Sequence, residues 1–460
     1  MELVDRLIKA YDIRGLVGSE LTPEFAFTTG VAFASFLEMK KEPATVIVGE
    51  DMRPSSPELA TAFSAGLISQ SFDVIRIGLA ATDQLYFASG SRNLPGAMFT
   101  ASHNPAEYNG VKLCLSGARP IGEDSGLAWI RETIRSGAPL AIRNSGKVTE
   151  ENMLQAYVDF MISLFPGGTF QKDFQDRQLK IAVDAGNGMG GYTAPAVMAK
   201  LNAQVFPIYF ELDGTFPNHE ANPIDPKNLR DLQTLVRKKS ADIGLAFDGD
   251  ADRCFLVDEK GDVVSPSALT ALIAVRELKR YPGATIIHNL ICSKSVPEAI
   301  IKNGGTPLRS RVGHSFIKGQ MADSGAVFGG EHSGHFYFKD FWRADSGMLA
   351  ALHAIAALLE SGTSLSKLLE PFGKYSLSGE INTKVGDQQK CIELVRENFS
   401  NRKEPIKFDE LDGLTVMAER WWLNLRPSNT EPLLRLNVEA ESERAMQGLV
   451  AEVLDILKNQ

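Results

Sequence analysis

Asp248-Gly249-Asp250-Ala251-Asp252-Arg253 sets three carboxylates at alternate positions directly after the apolar run IGLAF. Such a concentration of negative charge repels itself unless a cation sits within it, and hard oxygen ligands select magnesium or calcium. A solvated acidic turn is the plain alternative, but strict alternation, the preceding buried-type strand and the adjacent arginine favour a metal site. An EF-hand register places Asp248, Asp250, Asp252 and Glu259 correctly. It fails where Arg253 stands in place of the required glycine, and strands rather than helices flank the loop.

Four other stretches offer chemistry. Thr100-Ala101-Ser102-His103-Asn104-Pro105 follows the strand-like GAMF, which puts Ser102 in a loop at a strand end, where α/β sheets bind ligands. The alternative there is an Asn-Pro turn with serine as a helix cap. No GxSxG surrounds it, so an acyl-transfer triad is not indicated. Gly330-Glu331-His332-Ser333-Gly334-His335 combines a carboxylate, a hydroxyl and imidazoles suited to sugar hydroxyls. Arg426-Pro427-Ser428-Asn429-Thr430-Glu431-Pro432 joins a guanidinium fork to hydroxyl, amide and backbone donors that suit a phosphate dianion, or else forms a proline-bounded hairpin. Gly186-Asn187-Gly188-Met189-Gly190-Gly191 matches the dinucleotide-binding GxGxxG, with Glu211 ending the next strand. An NAD-dependent dehydrogenase is therefore a competing reading, and a glycine-rich strand-to-helix turn the preferred one. LAFDGD also resembles the signature of haloacid-dehalogenase-like phosphotransferases, which would make Asp248 the nucleophile; Asp252 stands where those enzymes carry Thr or Val, so the metal reading is preferred.

These loops need a scaffold, and the chain repeats one. TVIVGEDMR, DVIRIG and GAMFTASHNP form one set; KIAVDAGNG, VFPIYF and DIGLAFDGDADR a second; TIIHNLICSK, PLRSRVGHS and AVFGGEHSGH a third. Helical stretches separate the runs, the first beginning near Ser56, as α/β units require. The expected fold class is α/β: three similar α/β domains with mixed sheets around a central cleft, plus a C-terminal α+β domain. The last has LSGEINTKV, a helix at CIELVRENF, strands at LTVMAERWWLNLR and LLRLNVEA, and a final helix. The expected domains are 1–148, 149–257, 258–370 and 371–460.

With 460 residues, several hydrophobic cores are expected. At 44% apolar and 23% charged, without an apolar run of about 18 residues or a signal-type amino terminus, the chain reads as cytoplasmic, with no membrane partner. A net charge of −9 argues against nucleic acid and makes any anionic substrate depend on local cations. Cys114, Cys254, Cys292 and Cys391 lack CxxC spacing and read as buried thiols.

Together, AYDIRG, TASHNP, DGDADR, GEHSGH and RPSNTEP resemble the α-D-phosphohexomutases in order and spacing over the whole chain, and RPSNTEP resembles the phosphomannomutase/phosphoglucomutase branch. Phosphoglucosamine mutases typically carry RPSGTEP. His332 departs from the residue common in either branch. The resemblance implies interconversion of mannose 1-phosphate and mannose 6-phosphate, and of the glucose phosphates, through a phosphorylated Ser102 and a hexose 1,6-bisphosphate. It implies one Mg²⁺ held by Asp248, Asp250, Asp252 and the modified Ser102, with Arg253 and Lys112 facing the transferring group. Lys112 is implied as general acid/base, with His335 its partner and His103 supporting the loop. Tyr11 and Arg14 would line the cleft, His314 would touch substrate, and Glu331 and Ser333 would read sugar hydroxyls. Arg426, Ser428, Asn429 and Thr430 would hold the phosphate not being transferred. The expected partner is a hexose phosphate, and the assembly a monomer or homodimer.

Overall fold

The β-branched runs that open each repeat become the first strand of a parallel set, covered by helices on both faces, as continuous apolar strands demand. The computed structural model describes residues 3–137, 145–428 and 433–458, the side chains at 314 and 315 excepted. In the first sheet Thr45–Glu50 lies between Asp73–Leu79 and Gly96–Phe99, all parallel. In the second, Leu179–Asp184 lies between Ala203–Ile208 and Ile243–Phe247. In the third, Thr285–Asn289 lies between Thr306–Ser310 and Phe328–Gly330. Each set then reverses into an antiparallel strand: Tyr108–Leu115, Cys254–Asp258 and Phe336–Phe338. The topology is therefore the same three times. The serine loop, the acidic loop and the GEHSGH loop all occupy the same reversal, where the last parallel strand turns back.

The sheets are mixed, as expected. Val148–Glu150 adds to the edge of the first sheet beside Asp73–Leu79, carrying that unit just past the expected break at 148. The fourth sheet begins at Ser376 and is wholly antiparallel. LTVMAERWWLNLR does not run as one strand there. It divides into Leu414–Met417 and Trp421–Pro427 around a turn in which the Ala418 N–H donates to the Trp421 carbonyl at 2.9 Å. The two tryptophans go to different cores: Trp421 packs within the fourth unit, and Trp422 packs on Leu290 and Ile291 of the third.

One apolar core runs without a break through the second and third units and takes in the helix Thr82–Arg92 from the first. That helix projects from the first sheet into its neighbours. The fourth unit is anchored to the third by Trp422, by the Lys294 N–H donating to Glu439 Oε1 at 3.0 Å, and by Arg309 Nη1 3.2 Å from Asp409. All four cysteines are free and buried. Among the described residues no single helix is long and apolar enough to cross a membrane.

Candidate active site

Ser102 sits at the first reversal with φ +51° and is buried. A non-glycine residue there costs of order 1–3 kcal/mol and persists only when its surroundings over-determine it. The surroundings do so. The Ser102 N–H donates to Thr100 Oγ1 at 2.9 Å, its Oγ donates to Asp248 Oδ2 at 3.0 Å, and His103 Nδ1 lies 3.1 Å from the same Oγ. Burial, with Arg253 and Arg14 nearby, holds His103 well below the usual imidazole range. The ring lies against the Ser102 hydroxyl, within the loop it was expected to support.

The acidic loop faces Ser102 from the second unit. Asp248, Asp250 and Asp252 are buried, and one oxygen from each can be chosen so that all lie within 4.8 Å of one another. Asp250 Oδ1 and Asp252 Oδ1 are buried and accept no hydrogen bond from the described residues. Orphaned carboxylate oxygens converging in this way fit a hard divalent cation. Asp248 is taken on both sides: Arg253 donates from its N–H to Oδ1 at 3.1 Å and from Nε to Oδ2 at 2.8 Å. With Ser102 also on Oδ2, the carboxylate is a poor nucleophile, which weighs against the haloacid-dehalogenase-like reading. Arg253 Nη2, buried and without a hydrogen-bond partner among the described residues, can receive an anion.

Lys112 Nζ reaches both Asp250 Oδ2 and Asp252 Oδ2 at 2.6 Å. Burial opposes charge on Lys112, but the two carboxylates outweigh it and keep the ammonium well above its ordinary range. Asp250 is correspondingly held low against its own burial by Lys112 and by Thr82 Oγ1, which donates to it at 2.6 Å. The Thr82 N–H also donates to the Asp250 carbonyl at 3.0 Å, so the first unit's projecting helix grips the acidic loop by its first residue.

The glycine-rich turn at 186–191 serves the same loop. A Cβ at Gly188 would lie 2.6 Å from the Gly249 carbonyl, and the Met189 N–H donates to that oxygen at 2.8 Å. The close approach that a pyrophosphate would need is filled by protein backbone, which removes the basis of the dehydrogenase reading.

A cleft of about 890 Å³ opens over these groups, lined by Ser102, Lys112, Asp252 and His335 and, from other directions, by Tyr11, Arg14 and Arg435. Arg14 donates to Asn104 of the serine loop and to Asp12. His335 Nε2 lies 3.7 Å from Asp252, and its Nδ1 is 2.9 Å from Ser333 Oγ. Glu331 is buried rather than lining this cleft: Tyr337 OH donates to Oε1 at 2.5 Å, and the Gly313 N–H to Oε2 at 3.3 Å. On the fourth unit Arg426 is buried and donates to Glu380 at 2.6 Å and Asn437 at 3.0 Å, while Arg435 Nη2 approaches Ser428 Oγ at 3.4 Å. Asn429 and Thr430, and the side chain of His314, lie outside the described residues.

Sequence reasoning missed three contributors. Thr82 holds Asp250. Lys318 is a buried ammonium 2.5 Å from Asp345 and 4.1 Å from the Tyr86 ring centre, behind the cleft wall. Arg53 sits at the end of Thr45–Glu50, beneath the serine loop. Its place at the carboxyl end of a parallel strand was the available signal.

Comparison with known proteins matches the chain over all four units. Models of the phosphoglucomutase/phosphomannomutase alpha/beta/alpha domains I, II and III match residues 5–139, 155–261 and 265–375, and that of the C-terminal domain matches 380–456. The chain is 36% identical over 461 residues to a phosphomannomutase of Salmonella montevideo, covering 98% of each. It is 38% identical to a phosphomannomutase of Methanocaldococcus jannaschii, covering 98% of this chain and 97% of that one. A solved phosphoglucomutase/phosphomannomutase family protein from Burkholderia thailandensis superposes with a TM-score of 0.88 at 30% identity, over 100% of this chain and 98% of that one.

Proposed function

The chain belongs to the phosphoglucomutase/phosphomannomutase family, and from that premise we propose that it is an isomerase interconverting mannose 1-phosphate and mannose 6-phosphate, and the corresponding glucose phosphates, with phosphorylated Ser102 as the carrier. The observation that carries the reading is the Ser102 hydroxyl hydrogen-bonded at 3.0 Å to Asp248 of a buried triplet of aspartates, in a cleft also lined by Arg435, whose Nη2 approaches Ser428. One end of the cleft suits transfer and the other suits holding.

Asp248, Asp250 and Asp252 would hold one Mg²⁺, joined by an oxygen of the phosphorylated serine. When bound, the ion neutralises and orients phosphoryl oxygens. The chain's own groups do the rest. Arg253 Nη2 is the free donor for the transferring group. In the first half-reaction a sugar hydroxyl attacks phosphorus, the new O–P bond forms and the bond to Ser102 Oγ breaks, leaving a hexose 1,6-bisphosphate. His335, flanking Asp252, takes the proton of the attacking hydroxyl, and Lys112, held as an ammonium beside the same carboxylate, gives one to the departing Ser102 Oγ. Arg426, Ser428, Asn429 and Thr430 grip the other phosphate. After the bisphosphate turns end for end, the same groups return the second phosphoryl group to Ser102. Tyr11, Arg14 and His314 line the path, and Glu331 with Ser333 sets the sugar-reading loop. The enzyme acts in the cytoplasm as a monomer or homodimer, without nucleic-acid or membrane partners.

The test is a panel of mannose, glucose and glucosamine 1-phosphates with Mg²⁺ and a trace of hexose bisphosphate, alongside intact-mass measurement. Mannose and glucose should give kcat/KM within about two orders of magnitude of each other, because they differ at one hydroxyl with no buried partner left unpaired, and glucosamine should be poorer. Turnover of glucosamine 1-phosphate alone would point to the phosphoglucosamine mutase reading, and turnover of none of the three would overturn the proposal.

A further inference from the structure

Arg53 carries more hydrogen bonds to the serine loop than any residue named for the chemistry, and none of the motifs includes it. Its side chain is fully buried. Nη1 donates to the carbonyls of Pro105 and Tyr108 at 2.8 and 2.9 Å, and Nη2 to those of Ser102 and Asn104 at 2.9 and 2.7 Å. Nε lies 3.3 Å from Asp51 Oδ2, and Asp51 is itself fixed by Ser56 Oγ at 2.6 Å and the Arg53 N–H at 3.0 Å. Four carbonyls take the N–H groups of both Nη atoms, while Nε is buried and only ion-paired with Asp51, so the fork turns no terminal N–H toward a substrate. The Phe216 ring of the second unit covers the guanidinium at 5.1 Å, and a Cβ at Gly214 would lie 2.6 Å from the Arg53 Cα, so that segment seals the site.

We infer that Arg53 is the positioning residue of the serine loop: it gathers four main-chain carbonyls, holds Ser102 in its left-handed conformation and aims Oγ at the acidic triplet. The inference rests on the reading of Ser102 as the phosphoryl carrier. A buried guanidinium is the one side chain that can satisfy four carbonyls from a single planar centre. Lysine, with three donors on one nitrogen, cannot reproduce that fork. Because displacing reacting groups by about 1 Å costs of order a hundredfold in rate, the loop's freedom should be read in kcat rather than in KM, which the distant phosphate grip dominates.

The experiment compares Arg53→Lys, Arg53→Met and Phe216→Ala with the parent chain by steady-state kinetics, chemical unfolding and amide hydrogen exchange. The expected result for the Arg53 variants is a fall in kcat of about a hundredfold with KM within about threefold. Faster exchange should be confined to residues 100–108, while Ile243–Phe247 stays as in the parent. Phe216→Ala, which uncovers the fork without removing it, should show the same signature more weakly, and it keeps the test intact if the Arg53 variants do not fold. Parent-like kcat and exchange in Arg53→Lys, or exchange that rises equally across the first sheet, would overturn the inference. If the parent chain itself shows no mutase turnover and no phosphate on Ser102, the proposed function fails, and the exchange measurement still decides whether Arg53 holds the loop.

Discussion

Replacing Gly249 with alanine puts one methyl group between the two loops that must meet for transfer. The added Cβ would fall 2.3 Å from the Ser102 carbonyl oxygen and 3.2 Å from its carbonyl carbon. Non-bonded carbon and oxygen ordinarily approach to roughly 3.3–3.6 Å, so the loops must part by about 1 Å. The oxygen cannot simply yield, because Arg53 Nη2 binds it at 2.9 Å. Gly249 is not at positive φ, so alanine meets no backbone penalty and the perturbation is steric alone. A displacement of that size at the reacting groups costs of order a hundredfold in rate, and overpacking costs about 1–3 kcal/mol of stability. We therefore expect Gly249→Ala to lower kcat about a hundredfold while KM changes little, since the phosphate grip proposed for the fourth unit is untouched. Saturation kinetics, phosphoserine stoichiometry by intact mass and urea unfolding measure the three quantities. Gly167→Ala, where nothing lies within 4 Å, is the silent control. A Gly249→Ala enzyme with parental kcat and stability would refute the argument that the two loops are in register to within an ångström.

Ser102→Ala should lower kcat at least about a thousandfold, because a covalent carrier has no neighbour to replace it. It should also remove a mass adduct of roughly 80 Da; full activity in the variant would sink the carrier role. Chelation should abolish turnover and Mg²⁺ restore it, whereas Ca²⁺, tolerant of irregular geometry, should bind and support little transfer; an unchanged rate after exhaustive chelation is the contrary result. Burial pushes the Asp83 carboxyl up to about 7, against hydrogen bonds from Ser346 and Tyr157. The folded state therefore holds a proton that the unfolded chain has lost, so stability falls as pH rises from the ordinary value of 3.8 to about 7 and is level beyond. The bound on that loss is roughly 4 kcal/mol. Asp83→Asn should flatten the slope of urea-derived stability between pH 5 and 7, and a slope unchanged in the variant would exclude Asp83 as its source.

The repeated strands and the loops that end them were legible because their signals are local: an apolar run followed by a polar turn names its own place in a sheet. The dense acidic loop was legible for the same reason. Beyond its place at a strand end, the part Arg53 plays was not, since its four acceptors are carbonyl groups 49 to 55 residues away and a main-chain acceptor leaves no trace in side-chain identity. The reversal at 418–420 was hidden because consecutive tryptophans read as one apolar run, although they serve two different cores. Glu331 was expected to read sugar hydroxyls; its partner Tyr337 lies on the strand that returns beneath it, so its burial emerges only once the hairpin closes.

The anchoring of the fourth unit on the third, through Trp422 against Leu290 and Ile291 and through Lys294 to Glu439, sets the gauge of the whole device. On the proposed reading the loops around Ser102 fix where a phosphoryl group is exchanged, and the separation between that point and Ser428 is set at this junction, away from the reacting atoms. A hexose bisphosphate turning over as proposed would have to fit the same span in both orientations, so the joint would act as a calliper whose jaws are the two proposed phosphate sites. Altering its packing would change which sugar lengths are accepted and leave the bond-making groups as they are.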